Sequence, residues 1–270
     1  MHIQGKLTIL HVACLSSLSS GPGRYVLSLA HAQHELGLQV GLVTRARHAS
    51  LAINQSFALH FLSDWPPATL FPLPEPLGSP DLISFHGYYN WRHAVLAWEA
   101  ARRGIPYVIT PHGSMTRGAQ LQRNLKKRVG NALFQDSMVR RAAAVICLSD
   151  GEAADAARWG RPVLIAPVGT DLPAVPCGPG AEAGNALAEL RLLFLGRLAV
   201  KQKGIDLLLR GLALAREHRP DLRLRLLLAG PSDCRERAHL EHLLRQLQLG
   251  GIVGLPGPLA GQSKEEAFRQ

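Results

Sequence analysis

The chain has 270 residues, of which 47% are hydrophobic and 19% are charged, a composition typical of globular proteins. No run approaches the roughly 20 consecutive apolar residues that a membrane-spanning helix needs, and an aromatic content of 6% disfavours a nucleic-acid partner. The formal net charge of +10 favours another anionic partner, such as a nucleotide diphosphate or anionic lipid, although a basic surface without a partner gives the same count.

Short apolar runs alternate with segments of helical periodicity in the first part of the chain. The apolar runs predict strands at residues 7–13, 39–44, 57–62, 82–85, 107–110, 144–147 and 163–166. The periodic segments predict helices at residues 24–36, 91–103, 121–141 and 151–159. This alternation is typical of a parallel sheet that is covered by helices on both faces.

Proline, glycine and small polar residues interrupt this pattern at residues 173–187, which predicts a linker. The alternation then resumes, with predicted strands at residues 190–195, 222–229 and 252–255, and predicted helices at residues 205–218, 236–249 and from residue 264. We therefore predict an α/β protein with two Rossmann-like, doubly wound parallel-sheet domains, residues 1–172 and 188–270. Ligands of open parallel sheets bind at the carboxyl ends of the strands, so we expect a cleft between the two sheets.

The segment Ser-Ser-Gly-Pro-Gly-Arg, residues 19–24, lies between the first predicted strand and the first predicted helix. Gly21 and Gly23 would allow the backbone to approach a ligand closely, and Arg24 beside the helix N-terminus would attract an anion. A simple turn is the alternative. The dinucleotide fingerprint G-x-G-x-x-G is absent, which disfavours NAD, while NADP with Arg45 on its 2′-phosphate stays an alternative.

Two histidines follow predicted strands of the first domain, each with a glycine behind it. His86-Gly87 follows residues 82–85, and His112-Gly113 follows residues 107–110. Because the carboxyl ends of parallel strands meet at one edge of a sheet, we expect both imidazoles at the cleft. An imidazole there can hydrogen-bond a sugar hydroxyl or a phosphate, or move a proton near neutral pH. A purely structural role for either histidine is the alternative.

Two cations follow the first predicted strand of the second domain. Arg197 and Lys203 lie between strand 190–195 and helix 205–218. A helix N-terminus favours anions, arginine can grip a phosphate with two parallel hydrogen bonds, and lysine supplies a compact charge. This layout predicts a diphosphate site.

Three further patterns have weaker links to chemistry. Residues 117–141 carry seven lysines and arginines against one acid, so this face can rest on anionic lipid headgroups or be a solvated charged surface. Ser149 and Glu152 have the spacing of a capping box, which is a structural feature. Asp171 ends the segment Pro-Val-Gly-Thr-Asp, which either lines the cleft or forms a plain turn.

Taken together, the motifs resemble those of GT-B-fold retaining glycosyltransferases of family 4. The matching segments come in the family's order and span nearly the whole chain: residues 21–24, 85–87, 111–114, 148–152, 167–171, 196–204 and 228–231. The resemblance implies that Arg197 and Lys203 neutralise the donor diphosphate, and that His112 contacts the donor sugar. It also implies that Gly21 and Gly23 approach the donor phosphates or the acceptor. It requires no metal and no cofactor beyond the donor substrate.

By this resemblance, the chain is a glycosyltransferase that moves a sugar from a nucleotide-diphosphate sugar to a glycan or lipid-linked acceptor, in cell-surface polysaccharide synthesis. The family's second domain continues into a segment with two glutamates that hold the ribose and the sugar, and residues 188–270 end before it. We therefore expect an incomplete second domain and little or no activity. The alternatives are a non-catalytic remnant, the binding half of a split enzyme, and a sugar-nucleotide epimerase.

The cysteines predict the compartment. Four cysteines are scattered along the chain without a C-x-x-C pair, which disfavours zinc and a redox dithiol. This usage favours a reducing compartment, so we expect a cytoplasmic protein. If the basic face of residues 117–141 rests on anionic lipid, the protein is also peripheral on the inner face of the membrane.

Overall fold

The structure is a computed structural model that describes residues 7–13, 21–44, 57–61, 77–121, 130, 134–169 and 189–269. The chain divides into two compact units, Met1–Leu172 and Pro173–Gln270. Asp171 and the predicted linker, residues 173–187, lie outside the described residues, as do residues 122–129 and 131–133 of the basic segment.

The first unit is built on a parallel sheet whose described strands have the order β3-β2-β1-β4-β5-β6-β7. The strands are β1 (Thr8–Ala13), β2 (Gln39–Thr44), β3 (Ala58–Phe61), β4 (Leu82–His86), β5 (Tyr107–Thr110), β6 (Ala144–Cys147) and β7 (Val163–Ile165). The helices are α1 (Gly21–Glu35), α2 (Trp91–Arg102), α3 (Arg117–Leu121), α4 (Asp136–Arg141) and α5 (Asp150–Ala156), which continues into a 3₁₀ turn, Ala157–Trp159. The chain order reverses between β1 and β4, and ligands of doubly wound sheets bind beside such a reversal.

Burial explains why these strands can be read from the sequence. All six residues of β1 are buried, as are the last four of β4 and all four of β5. A strand that is covered on both faces reads as a continuous apolar run. The prediction of a parallel sheet with intervening helices is therefore confirmed for the first unit.

Helix α1 begins at Gly21, three residues before the predicted start at residue 24. Gly21, Gly23 and Arg24 therefore belong to the first turns of the helix and do not precede it, and their approach to a ligand stays a prediction. Pro22 is tolerated there, since the first amides of a helix have no intrahelical partner and its fixed φ suits the helix. Gly21 is exposed, whereas Gly23 is buried.

The second unit contains a parallel sheet whose described strands have the order β10-β9-β8. Its elements are β8 (Leu190–Leu195), α6 (Ile205–His218), β9 (Leu224–Ala229), α7 (Cys234–Gln246), β10 (Val253–Gly257) and α8 (Gly261–Arg269). Strand β8 and helix α6 occupy the predicted residues. Leucines from the strands and helices form most of its core. Strands and helices alternate along this unit, so the predicted Rossmann-like alternation is confirmed here as well.

Gly230 follows β9 beside the end of β8, where the backbones approach closely. A Cβ atom at this position would overlap the carbonyl oxygen of Gly196, which is backbone and cannot turn aside. We expect Gly230→Ala to destabilise the second unit by about 1–3 kcal/mol, because the strand ends must move apart. Thermal unfolding measures this change. Gly211→Ala is the matched control, since Gly211 faces open space within α6 and the substitution should be neutral or stabilising. An unchanged melting temperature for Gly230→Ala contradicts the prediction.

Candidate functional site

Three histidines of the first unit form a cluster near the carboxyl ends of β1, β4 and β5. His86 is the last residue of β4, His112 follows β5, and His11 lies within β1. Nδ1 of His11 lies 2.9 Å from Nε2 of His86, and Nδ1 of His86 lies 3.3 Å from Nε2 of His112. The structure thus brings His86 and His112 together, as their places at strand ends predict. We call His11, His86 and His112 the histidine cluster; a role for its members in binding stays a prediction.

Helix α1 borders the histidine cluster through two side chains. Oε1 of Gln33 lies 2.7 Å from Nε2 of His11. The ring of Tyr25 is edge-on to His112 and His86, with centroid distances of 5.1 Å and 5.9 Å. The amino-terminal part of α1, which includes Arg24, therefore lies on the side of the sheet that carries the cluster.

His11 is the member of the cluster that sequence reasoning missed. It is the only ionisable residue in β1, and its side chain is fully buried. It pairs with Ser84 in the register between β1 and β4, two positions before the pair of Ala13 and His86. Because side chains alternate along a strand, this spacing places His11 and His86 on the same face. The signal was a titratable residue in an apolar strand, and it was readable only once β1 and β4 were known to be neighbours.

Burial lowers the pKa of every imidazole in the histidine cluster. The pKa of His11 falls to about 4, and that of His112 also falls to about 4. The pKa of His86 is lowered well below its usual value, first by burial and then by the charges of neighbouring histidines. All three rings are therefore neutral at pH 7. The cluster can exchange hydrogen bonds with hydroxyl groups, but it offers a phosphate no positive charge.

We expect the first unit to lose stability as the pH falls from 7 towards 4. Histidines of the unfolded chain titrate near 6.5, whereas the folded values lie lower, so the unfolded state binds more protons in this window. The free energy of unfolding should therefore decrease on acidification, and His112→Gln should make this dependence shallower. Thermal unfolding at a series of pH values measures both effects. His239→Gln, at an exposed position of α7, should leave the pH dependence unchanged. A melting temperature that stays constant between pH 7 and 5 contradicts the prediction.

Glu152 holds the turn that carries His112. Its carboxylate is buried and accepts hydrogen bonds from the amides of Gly113 at 2.5 Å and Leu148 at 2.9 Å. Half of the predicted capping box is present, since the Ser149 hydroxyl accepts the amide of Glu152 at 3.3 Å. The other half is wrong, because the carboxylate does not return to the amide of Ser149 and instead joins two strand-end turns. Glu152 is thus part of the support of the histidine cluster.

In the second unit, Arg197 and Lys203 lie on the segment that joins β8 to α6, and both are exposed. A terminal nitrogen of Arg197 donates to Oε1 of Gln202 at 2.6 Å, which orients the guanidinium. Within the described ranges, neither Arg197 nor Lys203 forms an ion pair with a carboxylate. Gly204, with φ 66°, is the residue before α6 and has no side chain that could accept a hydrogen bond from the first amides of the helix. The exposed cations and the uncapped helix start together form a surface that suits an anion.

Hydrogen bonds from the neighbouring turn hold this segment, residues 196–204, in place. The amide of Val200 donates to the Glu236 carboxylate at 2.9 Å, and the amide of Leu198 donates to the carbonyl of Pro231 at 2.9 Å. Asp233 caps α7 by accepting the amide of Glu236 at 2.8 Å. The segment therefore has a defined conformation before any ligand binds.

A groove of about 690 Å³ lies in the second unit at the opposite end of its sheet. Its lining includes Glu189, Arg223, Leu224 and Val253, which lie at the amino ends of β8, β9 and β10. Arg197 and Lys203 are not among the lining residues. Ligands of open parallel sheets bind at the carboxyl ends, where residues 196–204 lie and this groove does not. An anion site at residues 196–204 stays a prediction.

None of the helices in the described part of the chain is long and apolar enough to cross a membrane. The same residues contain no group of three or more histidine, cysteine, aspartate or glutamate side chains arranged to hold a metal ion.

The family pattern described as the glycosyl transferase 4-like domain matches residues 20–171, more than half of the chain. The chain is 26% identical over 305 residues to the D-inositol 3-phosphate glycosyltransferase of Pseudarthrobacter chlorophenolicus, in an alignment that covers 97% of this chain and 70% of that protein.

Solved structures share the fold at low sequence identity. The UDP-forming α,α-trehalose-phosphate synthase from Burkholderia xenovorans aligns with a TM-score of 0.61 and 12% identity, over 98% of this chain and 76% of that one. The catalytic domain of starch synthase IV from Arabidopsis thaliana, bound to ADP and acarbose, aligns with a TM-score of 0.58 and 13% identity, over 97% and 76%. At such identities the likeness shows the fold alone, which is of the GT-B type.

Proposed function

The chain belongs to the glycosyl transferase 4-like family, and on this basis we propose that it transfers a sugar from a nucleotide-diphosphate sugar to a glycan or lipid-linked acceptor. The observation that supports a nucleotide-diphosphate donor is the pair of exposed cations, Arg197 and Lys203, before the start of α6. The ADP in the Arabidopsis structure and the UDP in the name of the Burkholderia enzyme support a nucleoside diphosphate as the leaving group. We place the reaction in cell-surface polysaccharide synthesis on the cytoplasmic side of the membrane.

The cations of residues 196–204 supply the chemistry of the leaving group. As the bond between sugar and phosphate breaks, negative charge grows on the diphosphate. Arg197 stabilises that charge by donating parallel N–H hydrogen bonds to the phosphate oxygens, and Lys203 adds a positive point charge beside the helix N-terminus. Fixed charges that match the charge of the transition state lower the barrier without reorganising. These groups can neutralise the diphosphate without a metal, so we propose that transfer persists in the presence of a chelator.

The histidine cluster supplies hydrogen bonds to the sugar. His112 is neutral at pH 7, so it orients a hydroxyl of the donor sugar rather than binding its phosphates. Gly113 beside it has φ 78° and no Cβ, which leaves room for a ligand to approach the backbone. We propose that the acceptor hydroxyl attacks from the face that the nucleotide leaves, and that the anomeric configuration is retained.

We further propose contact with an anionic membrane through the surface formed by α2 and α4, which pack together. Trp91 and Trp98 of α2 are 52% and 48% exposed, and the guanidinium of Arg102 lies 4.7 Å from the centroid of the Trp98 ring. Arg140 and Arg141 are exposed at the end of α4. Tryptophan favours the membrane interface, and arginine can reach lipid phosphates from there.

Trp98→Ala should weaken binding to anionic vesicles by roughly fivefold to tenfold, because a half-exposed ring loses its apolar contact with lipid. Co-sedimentation with phosphatidylglycerol vesicles at low and high salt measures the change. Leu207→Ala is the control, since Leu207 is 70% exposed on α6 of the second unit. Equal binding of the wild-type chain to neutral and anionic vesicles contradicts the proposed contact.

A donor panel tests the proposed reaction. The full chain is incubated with UDP-, GDP- and ADP-linked sugars, with and without a lipid extract as acceptor, and release of the nucleoside diphosphate is followed. Acceptor-dependent release that is lost in Arg197→Ala supports transfer, and a chelator should have no effect. Isomerisation of the sugar without release indicates an epimerase. Binding without either reaction indicates a non-catalytic remnant or a binding half.

A further inference from the structure

The histidine cluster forms a continuous line of hydrogen bonds that begins at Gln33 on α1 and ends at His112. The contacts run from Oε1 of Gln33 to Nε2 of His11 at 2.7 Å, from Nδ1 of His11 to Nε2 of His86 at 2.9 Å, and from Nδ1 of His86 to Nε2 of His112 at 3.3 Å. Each inner ring uses both of its nitrogens. Nδ1 of His112 has no hydrogen-bond partner among the residues that the structure describes.

Each neutral ring carries one proton, and this fixes which nitrogen donates and which accepts at every contact of the line. A neutral imidazole carries one ring proton, so one nitrogen donates and the other accepts. The amide oxygen of Gln33 can only accept, so Nε2 of His11 carries its proton and Nδ1 of His11 accepts. Nε2 of His86 must then donate to His11, and its Nδ1 accepts from Nε2 of His112. The last lone pair of the line is left on Nδ1 of His112.

We propose that His11 and Gln33 are positioning residues, which act through His86 to hold His112 in the tautomer whose bare Nδ1 accepts a hydrogen bond from a hydroxyl of the donor sugar. The choice of a sugar hydroxyl rests on the proposed function, while the fixed tautomer does not. The tautomer of a histidine is commonly set by the hydrogen bond that its other nitrogen makes. Here the determining group, Gln33, is separated from His112 by two further rings.

Burial makes this arrangement rigid. His11 is fully buried and His86 is 5% exposed, so water cannot replace a lost partner at either ring. Ser84 Oγ lies 3.3 Å from Nε2 of His86 and can share the proton that His86 donates to His11. Reversing the line would require three rings to move their protons together and the amide of Gln33 to turn over. A bare Nδ1 favours a substrate group that donates, so a donor sugar with fluorine or hydrogen in place of that hydroxyl should be rejected.

Nuclear magnetic resonance of the full chain with ¹⁵N-labelled histidine tests the tautomer directly. Long-range ¹H–¹⁵N correlations at pH 7 distinguish a protonated ring nitrogen from a bare one. We expect His11, His86 and His112 each to carry the proton on Nε2. A proton on Nδ1 of His112, or a mixture of its two tautomers, overturns the proposal.

Three variants test whether Gln33 and His11 set the tautomer. Gln33→Leu removes the acceptor from a partly exposed position of α1, and His112 should then show a mixture of tautomers, whereas Gln33→Glu keeps an acceptor and should restore the Nε2 proton. His11→Phe should have the same effect as Gln33→Leu, and Gln33→Leu decides the question if the buried His11 variant fails to fold. His31→Gln, on the exposed face of the same helix, is the control and should leave the His112 signals unchanged.

The experiments distinguish a failure of the positioning role from a failure of the proposed function. If Gln33→Leu and His11→Phe leave the His112 signals as in the wild type, the positioning role is wrong, whatever the chain catalyses. If the tautomer responds as expected and the donor panel shows no transfer, the positioning role stands and the proposed function fails. In an active chain, Gln33→Leu should lower kcat/KM more for the natural donor than for its deoxy analogue, and equal losses overturn the assignment of the hydroxyl.

Discussion

Replacing Arg197 with alanine should weaken the binding of a nucleoside diphosphate by about 10- to 100-fold, because a hydrogen bond to a charged group contributes roughly 1.5–3 kcal/mol. The guanidinium is exposed and already oriented by Gln202, so little ordering is needed when the ligand binds. Lys203→Ala should act in the same direction with a smaller effect, since lysine binds phosphate as a point charge. Isothermal titration of the full chain with UDP and ADP measures both changes.

Lys201→Ala is the matched control for this experiment. Lys201 lies on the same segment and is also exposed. Its replacement by alanine removes one positive charge, as Arg197→Ala does. The affinity should stay within about twofold of the wild-type value, as for most surface substitutions. If Lys201→Ala weakens binding as much as Arg197→Ala, the attraction comes from overall charge, and residues 196–204 are not a built site.

Glu152→Ala should destabilise the first unit by about 2–5 kcal/mol, because it leaves two amide donors without their acceptor at a buried position. The affected amides belong to Gly113 and Leu148. The turn before them is also strained, since His112 is a non-glycine residue with φ 51°, a conformation that persists only where its surroundings hold it. We therefore expect the His112 ring to leave His86 in this variant. Chemical unfolding gives the stability, and the ring signals of His112 report its position.

Glu152→Gln is the conservative counterpart of Glu152→Ala, and Asp150→Asn is its control. Glutamine keeps the shape and one acceptor, so its effect should lie between those of the wild type and alanine. Asp150 is exposed in the first turn of the same helix, and its replacement should cost about 0.3–1 kcal/mol through the helix dipole alone. A Glu152→Ala chain that is as stable as Asp150→Asn would show that the two amides find water or another acceptor, and that Glu152 does not hold the turn.

The sheet of each unit was predictable because its strands include apolar runs, which are buried in β1, β4 and β5 and half-buried or exposed in β8. The runs at Tyr107–Thr110, Ala144–Cys147 and Leu190–Leu195 consist almost wholly of apolar residues between polar or turn-forming neighbours. The start of α1 was not predictable in the same way. Proline and glycine at residues 21–23 indicate a turn when only local preference is considered, although a first helical turn accepts both.

The histidines at the strand ends of the candidate site were predictable, whereas the residues that hold them in place were not. His86 and His112 were visible because each follows an apolar strand and precedes a glycine. His11 was hidden within β1, and its contact with His86 depends on the pairing of strands that lie 75 residues apart in the chain. Glu152 was assigned to a local cap, yet its carboxylate reaches Gly113, 39 residues away. Such contacts depend on tertiary packing, which residue spacing along one element does not specify.

Binding of the donor diphosphate by residues 196–204 is the central claim of the proposed function. Titration of the amide-labelled full chain with UDP and ADP, followed residue by residue in ¹H–¹⁵N spectra, tests it without a known acceptor. We predict saturable shifts that centre on Gly196, Arg197 and Lys203 and on the first turn of α6. Shifts that centre instead on the groove at the amino ends of β8, β9 and β10, or the lack of saturable binding by either nucleotide, would contradict the account.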